Sequence, residues 1–396
     1  MNYRSDIPMS DPTQPSAGRL MEEWLSSVRG MPSALKHELA LLSLRGPRAR
    51  ESIKASLTVM LAVVLAKAFG LDDIWWAAFS GYMVTRSHFD ESFRRGVFRV
   101  GGTALGAAFG LCIAAVATRH PVILVSSTFP IASLTIYKAL VSRYSYAWLF
   151  AGITTVMVLA FAVLTPTHIV RFALLRIADV AAGTVACLVV SALFELTRPS
   201  PPDVFSQSFH SLAGTPGAAI AAATMPTMRR RLLRHACEGA LAVVGVASLG
   251  CWLKLHSFAQ ASITIVAVMV VPFSEFAEDC YTTMTRKMIQ RVLGCLCGGL
   301  VGILMLLLTG QPPALWWLAL PVGVWIGQHI QDGEETIGYF GTQFCLGYLT
   351  AFVHDPHVQT SYLPPAERLL GILTGLLFLG VILSGSAWVR FPKRAH

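Results

Sequence analysis

Long apolar runs, broken by short polar and basic stretches, dominate this chain. They recur twelve times, at 53–71, 74–86, 99–118, 121–138, 146–164, 173–195, 236–255, 258–274, 291–310, 313–329, 338–354 and 368–389. Most hold roughly 17–22 residues, enough for a helix to cross about 30 Å of hydrocarbon. No stretch alternates apolar and polar with a period of two, and in hydrocarbon every segment must satisfy its own backbone, so helices are predicted throughout. The pattern predicts an all-α, polytopic membrane protein. Segments 74–86 and 258–274 are the weakest, because Arg86, Glu275 and Glu278 crowd one end of each.

One apolar pattern occurs twice. Arg99–Gly110 reads RVGGTALGAAFG and Arg291–Gly302 reads RVLGCLCGGLVG, an offset of 192 residues. The same offset carries Pro121 onto Pro313, Arg176 onto Arg368 and Gly183 onto Gly375. Upstream, Lys54–Val64 is similar to Arg234–Val244 at an offset of 180. The expected organisation is therefore an N-terminal segment 1–50, a six-helix half 51–198, a Pro/Gly/Ser-rich linker 199–233, a second six-helix half 234–390 and a tail 391–396. Within the first segment, Leu35–Leu44 is expected to form a short amphipathic helix on the membrane face. Two six-helix halves around a pseudo-twofold axis is an architecture that transporters use, with the substrate near the midplane between repeats.

Composition agrees. Of 396 residues 54% are hydrophobic and only 13% charged, where soluble domains carry about 25% charged residues. Mean hydropathy is +0.58. The net charge of +9 resides largely in loops on one side, such as Arg45, Arg48 and Arg50, or Arg229, Arg230 and Arg231. Loops of that kind stay cytoplasmic and face anionic lipid, which places both termini in the cytoplasm and makes nucleic acid an unexpected partner. The N-terminus shows no apolar stretch followed by a small-residue cleavage site, so no signal peptide is expected.

Glycines at every fourth position, Gly102, Gly106 and Gly110 with Gly294, Gly298 and Gly302, offer bare ridges on which a neighbouring helix packs closely. Ionisable residues inside apolar runs are costly and so are candidates for function. Arg176 and Arg368 are the expected substrate ligands, since a guanidinium holds a carboxylate by two parallel hydrogen bonds; snorkelling to the interface is the competing reading. Arg99 and Arg291 either snorkel likewise or line an anion-attracting vestibule. Asp179, one turn from Arg176, is the expected proton carrier, a static ion pair with Arg176 being the alternative. Glu275 is a second proton candidate, set against simple pairing with the basic run Arg286–Arg291. His329, near Trp325, is expected to stack on an aromatic substrate or to be a satisfied interior histidine. Trp75 and Trp76 read as interfacial anchors.

Eight cysteines lie in or beside apolar runs without a C-x-x-C spacing, so they read as small buried residues and no metal site is expected. Without G-x-x-x-x-G-K-[ST], H-E-x-x-H or G-x-S-x-G, neither catalytic residues nor a cofactor is expected, and the chain does not read as an enzyme.

Three stretches carry a family resemblance: GLDDIWWAAFSGYMV (Gly70–Val84), RRGVFRVGGTALG (Arg94–Gly106) and RIADVAAG (Arg176–Gly183), with weaker echoes in RKMIQRVLGCLCG (Arg286–Gly298) and ERLLGILTG (Glu367–Gly375). In order and spacing they resemble the fusaric acid resistance protein family, which includes aromatic carboxylic acid exporters. The resemblance implies a bacterial inner-membrane exporter of small, often aromatic, organic anions, driven by the proton gradient and assisted by a periplasmic adaptor. A homo-oligomer is a further expected assembly. Two departures stand out: the relatives have a cytoplasmic domain where this chain has its linker, and Gly371 stands where Asp179 would repeat. A passive anion channel and a non-transporting membrane scaffold are the rival functions.

Overall fold

A computed structural model describes residues 17–117, 120–197, 225–253, 258–309, 313–334, 336–353 and 363–390. Most of the expected linker and all of the tail 391–396 lie outside the described residues. Those described form helices, with no strand among them: α1 (Ala17–Ala40), α2 (Pro47–Ala68), α3 (Ile74–Val84), α4 (Phe89–Ala117), α5 (Pro121–Val141), α6 (Ser145–Leu164), α7 (Ile169–Leu196), α8 (Pro226–Leu253), α9 (Phe258–Met269), α10 (Phe273–Thr309), α11 (Pro313–Gln331), α12 (Gly338–Phe352) and α13 (Leu363–Arg390). Seven are long and apolar enough to cross a membrane: α4, α5, α6, α7, α8, α10 and α13. The chain is a multi-pass membrane protein.

The shortfall from twelve segments has local causes. α3 has only 11 residues and α9 only 12, about half a bilayer at 1.5 Å per residue. α3 starts after Gly70, whose φ of +62° suits a residue without Cβ. α9 stops before Pro272, which has no amide hydrogen to continue the helical ladder. The carbonyls at and just beyond the ends of these helices lack helical partners, and side-chain nitrogens of neighbouring helices meet them. Lys54 Nζ donates to Arg86 O and Ser87 O. Lys287 Nζ donates to Val270 O at 2.7 Å, and His235 Nε2 meets Met269 O at 2.8 Å. α2 and α11 are long enough but interrupted by polar residues.

Several helices begin earlier than their apolar runs, α4 and α10 among them. α4 opens at Phe89 with Asp90 and Glu91 in its first turn, acids that suit a helix N-terminus. α10 breaks at Asp279 (φ −148°, ψ 85°). There the carboxylate accepts hydrogen bonds from the Thr282 amide at 3.2 Å and hydroxyl at 2.6 Å, which restarts the helix. Arg99 and Arg291 consequently sit several turns inside their helices rather than at the mouths.

The expected amphipathic piece Leu35–Leu44 differs too. α1 stops at Ala40 and docks on α10 and α11, burying Met31 among Ile289, Ile330, Ile337, Phe340 and Phe344. Glu38 of the same helix forms an ion pair with Arg48 of α2, whereas Leu39 and the following Leu41 and Leu44 stay exposed.

α4 lies on α6, and α10 on α12. An added Cβ at Gly102 or Gly106 would collide with the backbone of Ala147 or Ala151, and at Gly110 it would come 2.7 Å from Val158 Cβ. On the other ridge, Cβ atoms at Gly294, Gly298 and Gly302 would meet Phe340 O, Phe344 O and Ala351 Cβ. α7 closes on α3 at Gly183, and α13 on α9 at Gly375, where the nearest backbone is Ala77 and Ala261 respectively. α5 packs on α8 through an apolar core of Ile136, Leu140, Leu232, Ala236 and Val243, while α2 packs on α11.

Candidate functional site

The four candidate arginines are buried inside the bundle: Arg99 (3% exposed), Arg176 (4%), Arg291 (3%) and Arg368 (6%). A buried guanidinium needs acceptors for its donors, so neither pair snorkels. The short helices α3 and α9 supply much of what surrounds them.

Arg99 on α4 donates from Nε to Ser80 Oγ of α3 at 2.9 Å and from a terminal nitrogen to the Tyr146 hydroxyl of α6 at 3.2 Å. Its guanidinium carbon lies 4.0 Å from the Phe150 ring centroid. Arg291 on α10 does the same with Thr264 Oγ1 of α9 at 3.2 Å and the Tyr339 hydroxyl of α12 at 2.9 Å. One turn earlier, Arg95 lies over the Tyr146 ring at 4.2 Å and Lys287 over the Tyr339 ring at 5.9 Å.

Arg176 on α7 stacks on Trp76 of α3, 3.9 Å from the ring centroid, a contact of the cation–π type. Its carboxylate neighbours are Asp73 Oδ2 at 3.7 Å and Asp179 Oδ2 at 3.9 Å. Both distances exceed hydrogen-bond range. Arg368 on α13 lies over Phe79 of α3 at 5.3 Å and donates weakly to Gln260 Oε1 at 3.4 Å and Gln343 Oε1 at 3.5 Å. Trp76 and Phe79 themselves meet edge to face at 5.5 Å. The structure therefore brings Arg176 and Arg368 to one aromatic pair on α3. Arg99 also repels Arg176, as Arg291 repels Arg368.

The surroundings leave donors unspent. Arg176 Nε and one terminal nitrogen, Arg368 Nε and Gln260 Nε2 are buried without a hydrogen-bond partner, as are both Asp179 oxygens. Buried polar groups of this kind each cost about 1–3 kcal/mol unless satisfied. Among the described residues neither Arg291 nor Arg368 has an ion-pair partner.

The remaining candidates stand apart. Glu275 is exposed at the α9–α10 connection, close enough to Lys287 to act on its charge, in keeping with the pairing alternative. His329 is buried near one end of α11, its Nε2 against Leu41 O at 3.1 Å and its ring 5.6 Å from Trp325. It faces the chain between α1 and α2 and not the arginines. There Arg48 bridges Glu38 and His329 O, and a small polar cavity of about 30 Å3 opens between Glu51, Arg86 and Asp332. Burial pushes the Asp332 carboxyl up to about 6, with the Gln328 hydrogen bond opposing. An apolar cleft of about 490 Å3 lies elsewhere, between α4 and α7, lined by Leu111, Cys112, Pro166 and Val170. Neither cavity is lined by Arg176 or Arg368.

The sequence singled out the arginines but missed their partners. Ser80, Thr264, Tyr146, Tyr339, Phe79, Gln260 and Gln343 carry no signal as isolated residues. An offset of 184 through the short helices aligns Ser80 with Thr264 and Trp76 with Gln260, and that alignment would have exposed them. Trp76, read as an interfacial anchor, is instead the platform under Arg176.

Comparison with known proteins points the same way as the motifs. A p-hydroxybenzoic acid efflux pump subunit AaeB from Musicola paradisiaca (strain Ech703) is 28% identical over 169 residues, 40% of this chain and 26% of that protein. The chain thus aligns with about a quarter of the relative's length. No solved structure matches significantly. Residues 49–242 match the sequence model of the fusaric acid resistance protein family, the family that the motifs of that region resemble.

Proposed function

We propose that the chain is a secondary transporter that exports small aromatic carboxylates across a bacterial inner membrane at the expense of the proton gradient. Its twelve apolar helices act as two six-helix halves, 51–198 and 234–390, with both termini cytoplasmic. α3 and α9 are the broken elements that transporters place at the substrate site. The reciprocal packing supports this reading: α4 on α6 mirrors α10 on α12, and α5 on α8 mirrors α11 on α2.

The observation that carries the proposal is the pair of buried guanidiniums, Arg176 and Arg368, with unpartnered N–H groups beside Trp76 and Phe79. A carboxylate supplies the acceptors those groups lack, and its ring packs edge or face against the indole and phenyl. Arg99 and Arg291 add positive potential on the path to the site. Asp179, 1% exposed, is the proton carrier. When it is ionised its charge attracts Arg176, and protonation releases that guanidinium for substrate. A periplasmic adaptor and a homo-oligomer complete the proposed assembly, by analogy with a relative named as a pump subunit.

Proteoliposomes with an imposed pH gradient test the reading. Benzoate or p-hydroxybenzoate should move with the gradient, and Asp179→Asn should abolish the dependence on it. No gradient-driven movement of any aromatic acid would refute the proposal, and unitary currents would favour a passive anion channel.

A further inference from the structure

The two arginine pockets differ in what they lack. Around Arg176 the unpartnered atoms are of both kinds: guanidinium N–H donors, and the two oxygens of Asp179 that can accept from them. The closest approach is 3.9 Å, so a rotamer change of about 1 Å would satisfy both sides. This pocket contains its own anion. Around Arg368 the unpartnered atoms are donors alone, Arg368 Nε and Gln260 Nε2. Arg368 donates at 3.4 and 3.5 Å to neutral carboxamide oxygens, and the Cys295 thiol is a further hydrogen-bonding neighbour. Its neighbouring charge, Arg291, is positive, and bonded to Thr264 and Tyr339. The sequence supplies the reason: Gly371 occupies the place where Asp179 would repeat, and Gln260 the place of Trp76.

We infer that the Arg368 pocket, bounded by Gln260, Gln343 and Phe79, is the resident anion site, and that it holds one monocarboxylate per chain while Asp179 occupies Arg176. This rests on the reading of the chain as an aromatic-acid exporter and gives its two pockets separate tasks. Arg368 binds the carboxylate through its fork, with Gln260 Nε2 as a further donor. Phe79 sits 5.3 Å from the guanidinium and sets the aromatic preference. The Arg176 pocket accepts an anion only when its internal carboxylate is neutralised. Coupling then reduces to a competition: a proton on Asp179 opens the second pocket, and proton loss closes it.

Isothermal titration of benzoate into the purified full-length chain in detergent micelles at pH 7.5 tests this. The expected result is about one equivalent bound by the wild type, and at least tenfold weaker binding for Arg368→Gln. Arg176→Gln should change affinity less than threefold, and Asp179→Asn should raise the stoichiometry to about two. Arg368→Lys keeps the charge and removes the fork, so it should bind more weakly than the wild type even if Arg368→Gln does not fold. Acetate in place of benzoate should bind more weakly to the wild type, and Phe79→Leu should narrow that difference. Equal losses for Arg176→Gln and Arg368→Gln, or one equivalent in Asp179→Asn, would overturn the inference while leaving an exporter in place. If the wild type binds neither acid, and none moves in proteoliposomes, the functional reading itself falls.

Discussion

Arg176 and Arg368 occupy matching places in the two sequence repeats, yet their surroundings have diverged. Arg176 lies on an indole with two carboxylates less than 4 Å away; Arg368 is met by two glutamines, the Cys295 thiol and a phenyl ring and has no ion-pair partner among the described residues. Under the proposed two-half organisation, the cation repeats and its counter-charge does not. The lesson is that a repeated charge need not mean a repeated role. A buried cation with its own carboxylate is close to neutral, whereas one with neutral partners remains a demand for an anion.

The seams between the proposed halves differ in the same sense. α5 meets α8 through aliphatic side chains such as Ile136, Leu232 and Val243. α2 and α11 share apolar residues such as Val59, Val63, Leu320 and Val324 but add polar contacts: Ser56 donates to Pro321 O at 3.0 Å, Arg48 to His329 O at 3.0 Å, and Asp332 is half-buried just past the end of α11. An apolar seam slides at little cost, whereas a polar one must break defined bonds to open. The α2–α11 side is therefore the one that conditions such as pH can bias.

The contrast between the arginine pockets is broken most directly by substitution. Benzoate export, measured as initial rate in proteoliposomes, should fall roughly ten- to hundredfold in Arg368→Gln. The loss in Arg176→Gln should be smaller and should appear mainly as lost dependence on the pH gradient. Identical losses would make the two pockets equivalent.

A smaller effect is expected where packing rather than charge holds one helix on another. At Gly298 an added Cβ would collide with Phe344 O, whereas at Gly101 it meets nothing within 4 Å. Gly298→Val should destabilise the protein by about 1–3 kcal/mol, read as a lower Tm in detergent. Gly101→Val should leave Tm nearly unchanged.

The polar seam gives a pH signature. The Asp332 carboxyl stands at about 6 in the folded chain against an ordinary 3.8. Burial is the main cause and the charge of Glu51 adds to it, while the Gln328 hydrogen bond, Arg86 and Arg48 oppose it. The folded state therefore holds this proton to higher pH than the unfolded chain does. Its stabilising contribution is complete below about 3.8 and is lost as pH rises through about 6. Asp332→Asn should accordingly raise Tm at pH 7.5 more than at pH 4.5. An equal change at both pH values would contradict the burial of this carboxyl.

The smallest effect is expected at the outer rim of the Arg176 pocket. Arg171 and Asp72 form an ion pair at 2.9 Å with both side chains largely exposed, and such pairs are worth about 0–1 kcal/mol. Arg171→Ala should leave export rate and Tm close to wild type.

Much of this was legible in the amino-acid pattern, for identifiable reasons. Burial in hydrocarbon imposes long apolar runs, so the helical nature of α4 to α8, α10 and α13 could be read directly. The glycine ridges and the four arginines stood out because small and charged residues are conspicuous against such a background. Helix starts were not legible, because Asp279 restarts α10 through two hydrogen bonds to Thr282 that no hydropathy window registers. The partners of the arginines were hidden by the shift from an offset of 192 in the long helices to 184 in the short ones, which conceals the match of Ser80 with Thr264. The partners of His329 were hidden because Arg48 and Leu41 come from chain nearly three hundred residues earlier.

The most direct test of unequal pockets is a crystallographic or cryo-EM structure of the chain at pH 7.5 with 4-iodobenzoate, whose heavy atom marks its position. The account predicts a single carboxylate on Arg368 and Gln260 with its ring against Phe79, and Asp179 closed onto Arg176. Density for the ligand on Arg176, or equally on both guanidiniums, would contradict it.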